Sequence, residues 1–216
     1  MIHNFRFFNL GVFDGGEIDM MLNIMSSISN TNIEIIGFEP NPILYNKLCK
    51  KYENKPNIKI INVALGPSET NTYLYLNSNF LGSSIYKDKN NVIPGKQVLV
   101  QMTRLSTWIE NNLPVIWKTD KFNIIKTNIE GAEWEIWQDI KRSGLIDSFC
   151  LWLGGEAGHS GWSIDLLKIP SMKHLATQLN EELKNFGIFI YKFSSLTPNR
   201  NSDIESIIRK IINEKK

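Results

Sequence analysis

Arg6-Phe7-Phe8-Asn9-Leu10-Gly11-Val12-Phe13-Asp14-Gly15-Gly16 joins a short apolar strand to a glycine turn, and the residues behind it become helical. Ile18, Met21, Leu22 and Met25 recur there at the spacing of one helix face. Ile33-Glu34-Ile35-Ile36-Gly37-Phe38-Glu39 then reads as a second buried strand, stopped by Pro40-Asn41-Pro42. Asn41 suits a helix N-cap and Pro42 the first helical position. Leu44, Tyr45, Leu48, Cys49 and Tyr52 form the apolar face that follows. Ile58 to Val63 is a third strand. Strand, helix, strand, helix, strand predicts a mostly parallel sheet with helices on both faces, because right-handed crossovers must carry the chain back over it.

Outward from this core, Thr72 to Leu76 and Val98 to Met102 alternate in strand fashion. The stretch between them, Asn77 to Lys96, is polar and rich in Gly and Asn, and is expected to be a mobile loop. Phe122 to Thr127 and Ser148 to Leu153 are a fourth and a fifth core strand. Met172, Leu175, Ala176, Leu179, Leu183 and Phe186 mark a helix before a strand from Ile188 to Phe193. Ser202-Asp203-Ile204-Glu205 reads as a capping box opening a last helix, with Ile204, Ile207, Ile208 and Ile211 on one face.

With 216 residues, 42% of them apolar, and neither an internal repeat nor a linker, the chain is expected to form one domain over residues 1–216. Its 24 basic and 22 acidic residues are intermixed, so nothing suggests the concentrated positive charge that grips nucleic acid. Polar residues interrupt Met1 to Phe13, which argues against a secretory signal, and no run is long enough to span a bilayer. The expectation is a soluble, cytoplasmic protein; oligomeric state is not written in the sequence. Cys49 and Cys150, each in an apolar stretch, are expected to be buried thiols rather than metal ligands.

Ligands of open parallel sheets bind beyond the carboxyl ends of the strands. The turn Gly11-x-x-x-Gly15-Gly16 is there, and a glycine turn before a helix can offer N–H groups to an anion such as the carboxylate of a methionine moiety. Any tight strand-to-helix turn uses the same residues. Glu39 follows at roughly the 20-residue separation at which an acidic side chain accepts ribose hydroxyls, although a helix dipole alone also favours a carboxylate there. Both S-adenosylmethionine and a nicotinamide dinucleotide fit this pattern. Phe13 occupies the position where the dinucleotide fingerprint has its second glycine, so a ligand without pyrophosphate fits better and a dinucleotide-binding oxidoreductase is the weaker enzyme alternative. The fourth strand delivers Lys126-Thr127-Asn128-Ile129-Glu130-Gly131-Ala132-Glu133 to the same edge. A helix dipole accounts for the glutamates but not for Lys126.

These segments together resemble the FkbM methyltransferases, whose pattern runs D-x-G-A-x-D-G, F-E-P-x-P, A-L-G, G-S-S and K-x-D-x-E-G-A-E. The chain has Asn9-Leu10-Gly11-Val12-Phe13-Asp14-Gly15, Phe38-Glu39-Pro40-Asn41-Pro42, Ala64-Leu65-Gly66, Gly82-Ser83-Ser84 and Lys126 to Glu133, in that order. The resemblance implies a Rossmann-like methyltransferase fold, S-adenosylmethionine as cofactor, and O-methylation of a small-molecule or glycan hydroxyl. It implies that Asn9, Gly11, Asp14 and Gly15 surround the methionine part of the cofactor. Glu39 and Pro40 would hold the ribose, and Val63 and Ala64 would border the adenine. Asn128 and Glu130, with Lys126, would lie near the transferred methyl and the acceptor. The chain departs from the pattern at Asn9 and Asn128, where the family has Asp, and at Ser106, where Asp is common. The loss of those carboxylates motivates a second reading, a catalytically silent module that binds S-adenosylmethionine.

Methyl transfer needs alignment and an acceptor for one proton. Glu130 and His159 are the candidate bases, the latter in Gly154-Gly155-Glu156-Ala157-Gly158-His159. Glu156, His159 and Asn128 are also compatible with a divalent metal, but nothing in their spacing requires one. Trp162 is a candidate for stacking on a sugar or for anchoring its loop, whereas Trp134 and Trp137 read as core or interface.

Overall fold

Successive residues of a strand point to opposite faces, and in β1 (His3–Leu10) both sets carry buried apolar side chains. Phe5 and Phe7 enter one core and Phe8 and Leu10 the other, all at most 1% exposed. A strand with buried apolar side chains on both faces must be covered on both sides, which is the situation of a parallel sheet flanked by helices. The computed structural model describes residues 2–154, 164–184, 189–191 and 197–214.

In chain order β1 is followed by α1 (Gly16–Ser27), β2 (Thr31–Phe38), α2 (Pro42–Lys51), β3 (Ile58–Ile61), β4 (Ala64–Leu65), β5 (Thr70–Tyr75) and β6 (Gln97–Thr103). Then come α3 (Leu105–Asn112), α4 (Trp117–Asp120), β7 (Phe122–Thr127), α5 (Glu133–Arg142) and β8 (Phe149–Gly154). The described chain ends with α6 (Ile164–Leu167), α7 (Leu175–Lys184), β9 (Phe189–Tyr191) and α8 (Arg200–Glu214). Six strands pair in parallel in the order β3-β2-β1-β7-β8-β9. Strand order reverses beside β1, and the β1 and β7 carboxyl ends therefore open onto a crevice.

One face is covered by α1 and α8 through Ile18, Met21, Ile204 and Ile208. The other is covered by α3, α5 and α7 through Leu105, Trp137, Ile140 and Leu179. Each such buried side chain contributes about 1.5–3 kcal/mol of transfer free energy. Trp137 is in the core, as its helical spacing suggests. A smaller sheet, β4-β6-β5, carries its own apolar cluster with Leu74, Val100 and Met102.

Four expectations are corrected. The run Ile58 to Val63 is not one strand: β3 ends at Ile61, Asn62 donates to the carbonyls of Glu39 and Pro40, and the chain re-enters the second sheet at Ala64. Ser202 does not cap α8, which begins two residues earlier; its hydroxyl donates instead to the carbonyl of Asn199. Cys49 is exposed, because it lies on the outer side of α2 while Leu44 and Leu48 face inward, and Cys150 is half-buried, its thiol donating to the Asn123 carbonyl. The segment 77–96 is not a loose loop. Ser84 and Lys89 are buried within it, and Tyr75 and Ser84 exchange backbone hydrogen bonds.

One buried cation escapes any pattern reading. Arg6 faces the amino-end edge of the sheet and is 2% exposed, with Glu34 at 3.0 Å, Asp120 at 3.2 Å and the Asn123 amide oxygen at 3.2 Å. A buried guanidinium is tolerated only with partners of this kind.

Candidate functional site

At the carboxyl ends of β1, β2 and β7 lies a cavity of about 650 Å³, within the range that encloses small ligands. Gly11, Asp14, Glu39, Pro40, Val63, Ala64, Gly82, Ser83, Lys126, Asn128 and Glu130 all line it, so five sequence motifs spread over the chain converge on one space. Asn9 and Gly15 stand behind that wall. Asn9 is fully buried, and neither amide atom has a hydrogen-bond partner among the described residues. Gly15 accepts the Tyr52 hydroxyl at 3.0 Å. His159, Glu156 and Trp162 lie outside the described residues.

The glycine turn is fixed by close approach. Gly11 has φ +80°, and a Cβ on it would sit 2.0 Å from the Asn128 carbonyl oxygen, so β1 and β7 could not keep their exits together with any other residue. Lys126 donates to the Gly11 carbonyl at 2.8 Å and has Glu17 at 3.8 Å. This ammonium, 2% exposed, thus braces the turn from below and also borders the cavity.

Five N–H groups of the turn are paired within the protein. Gly11 and Val12 donate to the Phe38 carbonyl, Gly15 to that of Val12, and Gly16 to Asp14 Oδ1. Phe13, at φ +56°, donates to Glu39 Oε2 at 2.8 Å. Those donors are spent on the turn itself. Beside them Asp14, Glu17 and Glu39 line the cavity. Near the turn the arrangement suits cationic and hydroxyl groups, while Lys126, Lys168 and Arg200 line other parts of the cavity.

Glu39 is the most constrained of the three. It is 5% exposed, and its Oε1 accepts the Asn41 N–H at 2.9 Å. Burial pushes its carboxyl up to about 6, against the pull of the Asn41 and Phe13 N–H groups and of Lys126. Each oxygen keeps a further lone pair for a ligand hydroxyl. Asn41 also caps α2, accepting from the Ile43 and Leu44 N–H groups, so the strand exit and the helix start are one hydrogen-bonded unit.

On the far wall, Glu130 has a left-handed backbone, φ +61°, followed by Gly131 at +119°. Glu133 accepts the Ile129 and Gly131 N–H groups at 2.9 and 2.7 Å, and so shapes the turn without reaching the cavity. Ser106, at the third departure from the family pattern, is bound by Asp139 through its hydroxyl at 2.6 Å and its N–H at 2.8 Å. The outer cavity wall comes from the segment sequence reading treated as loose. Asn77, Asn79, Phe80, Ser83 and Asn91 contribute amides, a hydroxyl and one ring, and Lys168 and Arg200 border it too. Among the described residues no group of three His, Cys, Asp or Glu is placed to hold a metal ion, and no helix is long and apolar enough to cross a membrane.

A parallel sheet whose reversal point carries a glycine turn, an acidic strand exit and a second acidic exit around one cavity defines an α/β protein with a ligand-sized cavity at its carboxyl edge. Residues 15–175 match the methyltransferase FkbM domain, and the chain belongs to that family of methyltransferases. It is similar to the crystal structure of methyltransferase FkbM from Methylobacillus flagellatus KT, at 13% identity and a TM-score of 0.40 over 64% of this chain and 29% of that one. The chain thus spans less than a third of that protein's length. Comparison with curated proteins gives no match.

Proposed function

We propose that the chain transfers a methyl group from S-adenosylmethionine to a hydroxyl oxygen of a sugar or glycan. The observation that carries this reading is the carboxylate wall beside the glycine turn, where Asp14, Glu17 and Glu39 line the cavity and several turn N–H groups are already paired. A ligand with a sulfonium, an ammonium and ribose hydroxyls complements that wall. When bound, it supplies a methyl carbon already activated as an electrophile.

In this reading Glu39 accepts the ribose hydroxyls, Asp14 and Glu17 offset the cationic end, and Val63 and Ala64 flank the base. Asn128, exposed at the cavity, directs the acceptor hydroxyl by its amide, and Glu130 takes up the proton released as the C–O bond forms. The neutral amides of the outer wall beside Phe80 support a polyhydroxylated acceptor, since amides pair with hydroxyls and a ring covers the apolar face of a sugar. A cytoplasmic location is part of the same proposal.

The test is mass spectrometry of glycans and small glycosides from cells with and without the protein, paired with transfer from labelled S-adenosylmethionine in vitro. A gain of one methyl mass that requires the protein is the expected result. Tight binding of the cofactor with no transfer to any acceptor in a broad panel would replace this reading by the silent binding module that Asn128 motivates.

A further inference from the structure

Lys89 is one of the least exposed charged residues described, with a side chain 0% exposed, yet it lies in a polar segment and does not line the cavity. Its ammonium donates to the Gly82 carbonyl at 3.1 Å and to Glu130 Oε2. From the same segment, the Ser84 hydroxyl donates to the Glu130 backbone carbonyl at 2.7 Å. Glu130 is therefore gripped at both carboxylate and main chain by residues more than 40 positions away, and its left-handed conformation is held from outside its own turn. Gly82 closes the arrangement: a Cβ there would lie 2.3 Å from the Asn91 amide nitrogen and 3.5 Å from Glu130 Oε2.

A buried ion pair is a poor device for stability, because desolvation offsets most of the attraction. A strained residue kept in place by surrounding structure is common where geometry serves a ligand. Resting on the reaction proposed above, we infer that Lys89 is a positioning residue for Glu130. It ties down one carboxylate oxygen, Oε2, fixes the direction of the carboxylate beside the cavity, and couples segment 82–89 to it. It touches no substrate itself.

The test compares Lys89→Met, Lys89→Gln, Lys89→Arg, Glu130→Gln and the double change Lys89→Met with Glu130→Gln, all in the full chain. With S-adenosylmethionine and a panel of methyl hexopyranosides as probes, Lys89→Met is expected to lose at least about tenfold in kcat. The KM for S-adenosylmethionine should stay within about twofold, the split that separates alignment from cofactor binding. Lys89→Arg recovers most of the loss, and the double variant is no slower than Glu130→Gln. Unchanged kcat, a parallel rise in KM, or a multiplied loss in the double variant overturns the inference. Lys89→Gln gives the same reading where the Met variant does not fold.

A second readout needs no acceptor. The Gly131 N–H is held by Glu133, and its hydrogen exchange is expected to quicken in Lys89→Met and in Glu130→Gln, without further gain in the double variant. Unchanged exchange in Lys89→Met overturns the role of Lys89 whatever the acceptor. Absence of transfer by the unaltered chain counts against the proposed reaction instead.

Discussion

At Glu39, burial holds a proton on the carboxyl while two N–H groups and the Lys126 ammonium pull it off, and burial prevails to leave the group near 6. A folded value above the unfolded one means that this residue's contribution to stability is present at low pH and lost as pH rises through about 6. Keeping it ionised at neutral pH costs about 2 kcal/mol. That cost is consistent with a residue retained for a ligand. Affinity for S-adenosylhomocysteine is expected to be full above about pH 7 and to fall as pH drops through 6, because a protonated carboxyl is a weaker acceptor of ribose hydroxyls. Glu39→Ala should weaken binding roughly ten- to a hundredfold and flatten that pH dependence, as read by calorimetry. A steep pH dependence surviving in the variant would place the titrating group elsewhere. Lys126, grouped with the catalytic residues by sequence, is expected to act through the turn. Lys126→Met strips a donor from the Gly11 carbonyl and should cost about 1–3 kcal/mol of stability and weaken cofactor binding, with kcat at saturating cofactor retained. Loss of kcat at saturation would return Lys126 to the chemistry.

At the scale of elements, legibility followed the range of the forces. The strand Phe122–Thr127 and the α2 start at Asn41-Pro42 are readable because an apolar run and a cap are local signals. The convergence of Glu39 and Glu130 on one cavity was legible only through strand order. The packing of segment 77–96 was not legible at all. Its order rests on long-range bonds from polar side chains: Ser84 and Lys89 to Glu130, and the Tyr86 hydroxyl to Glu135. None of these leaves an apolar period in the sequence. Arg6 was hidden for the same reason, since its partners Asp120 and Asn123 lie more than a hundred residues on. At the glycine turn the pattern fixes the backbone path, but not which N–H groups are paired within it. For the segment, hydrogen exchange is expected to show Ser84 protected in the free protein through its bond to Tyr75, with Leu81 to Ser83 gaining protection when cofactor and acceptor are added together. Exchange at 81–83 that is unmoved while the rest of the cavity becomes protected would leave the segment a fixed wall and not a closing one.

For the molecule as a whole, the cavity sits where the parallel sheet meets the smaller β4-β6-β5 sheet, and this junction decides what class of ligand enters. Dinucleotide-binding sheets share the strand order seen around β1, so topology alone does not separate them from cofactors without phosphate. Charge and donor supply do. A pyrophosphate needs backbone N–H groups at the turn, but Phe13 has committed its own to Glu39, and Gly15 and Gly16 have committed theirs within the turn. It would also face Asp14, Glu17 and Glu39, with Lys126 drawn below them to the Gly11 carbonyl. Phe13 also lines the cavity, at the fingerprint position of the second glycine, on a backbone whose left-handed φ costs about 1–2 kcal/mol for a residue other than glycine. Isothermal calorimetry on the unaltered chain is therefore expected to show S-adenosylmethionine and S-adenosylhomocysteine binding, and NAD binding at least about a hundredfold more weakly, a difference of about 2.7 kcal/mol. Phe13→Gly relieves the steric term but leaves the donors committed and the wall acidic, so it should not restore NAD binding. Tighter binding of NAD than of S-adenosylhomocysteine would mean that the turn rearranges on binding, and the acidic wall would no longer argue for a methyl donor.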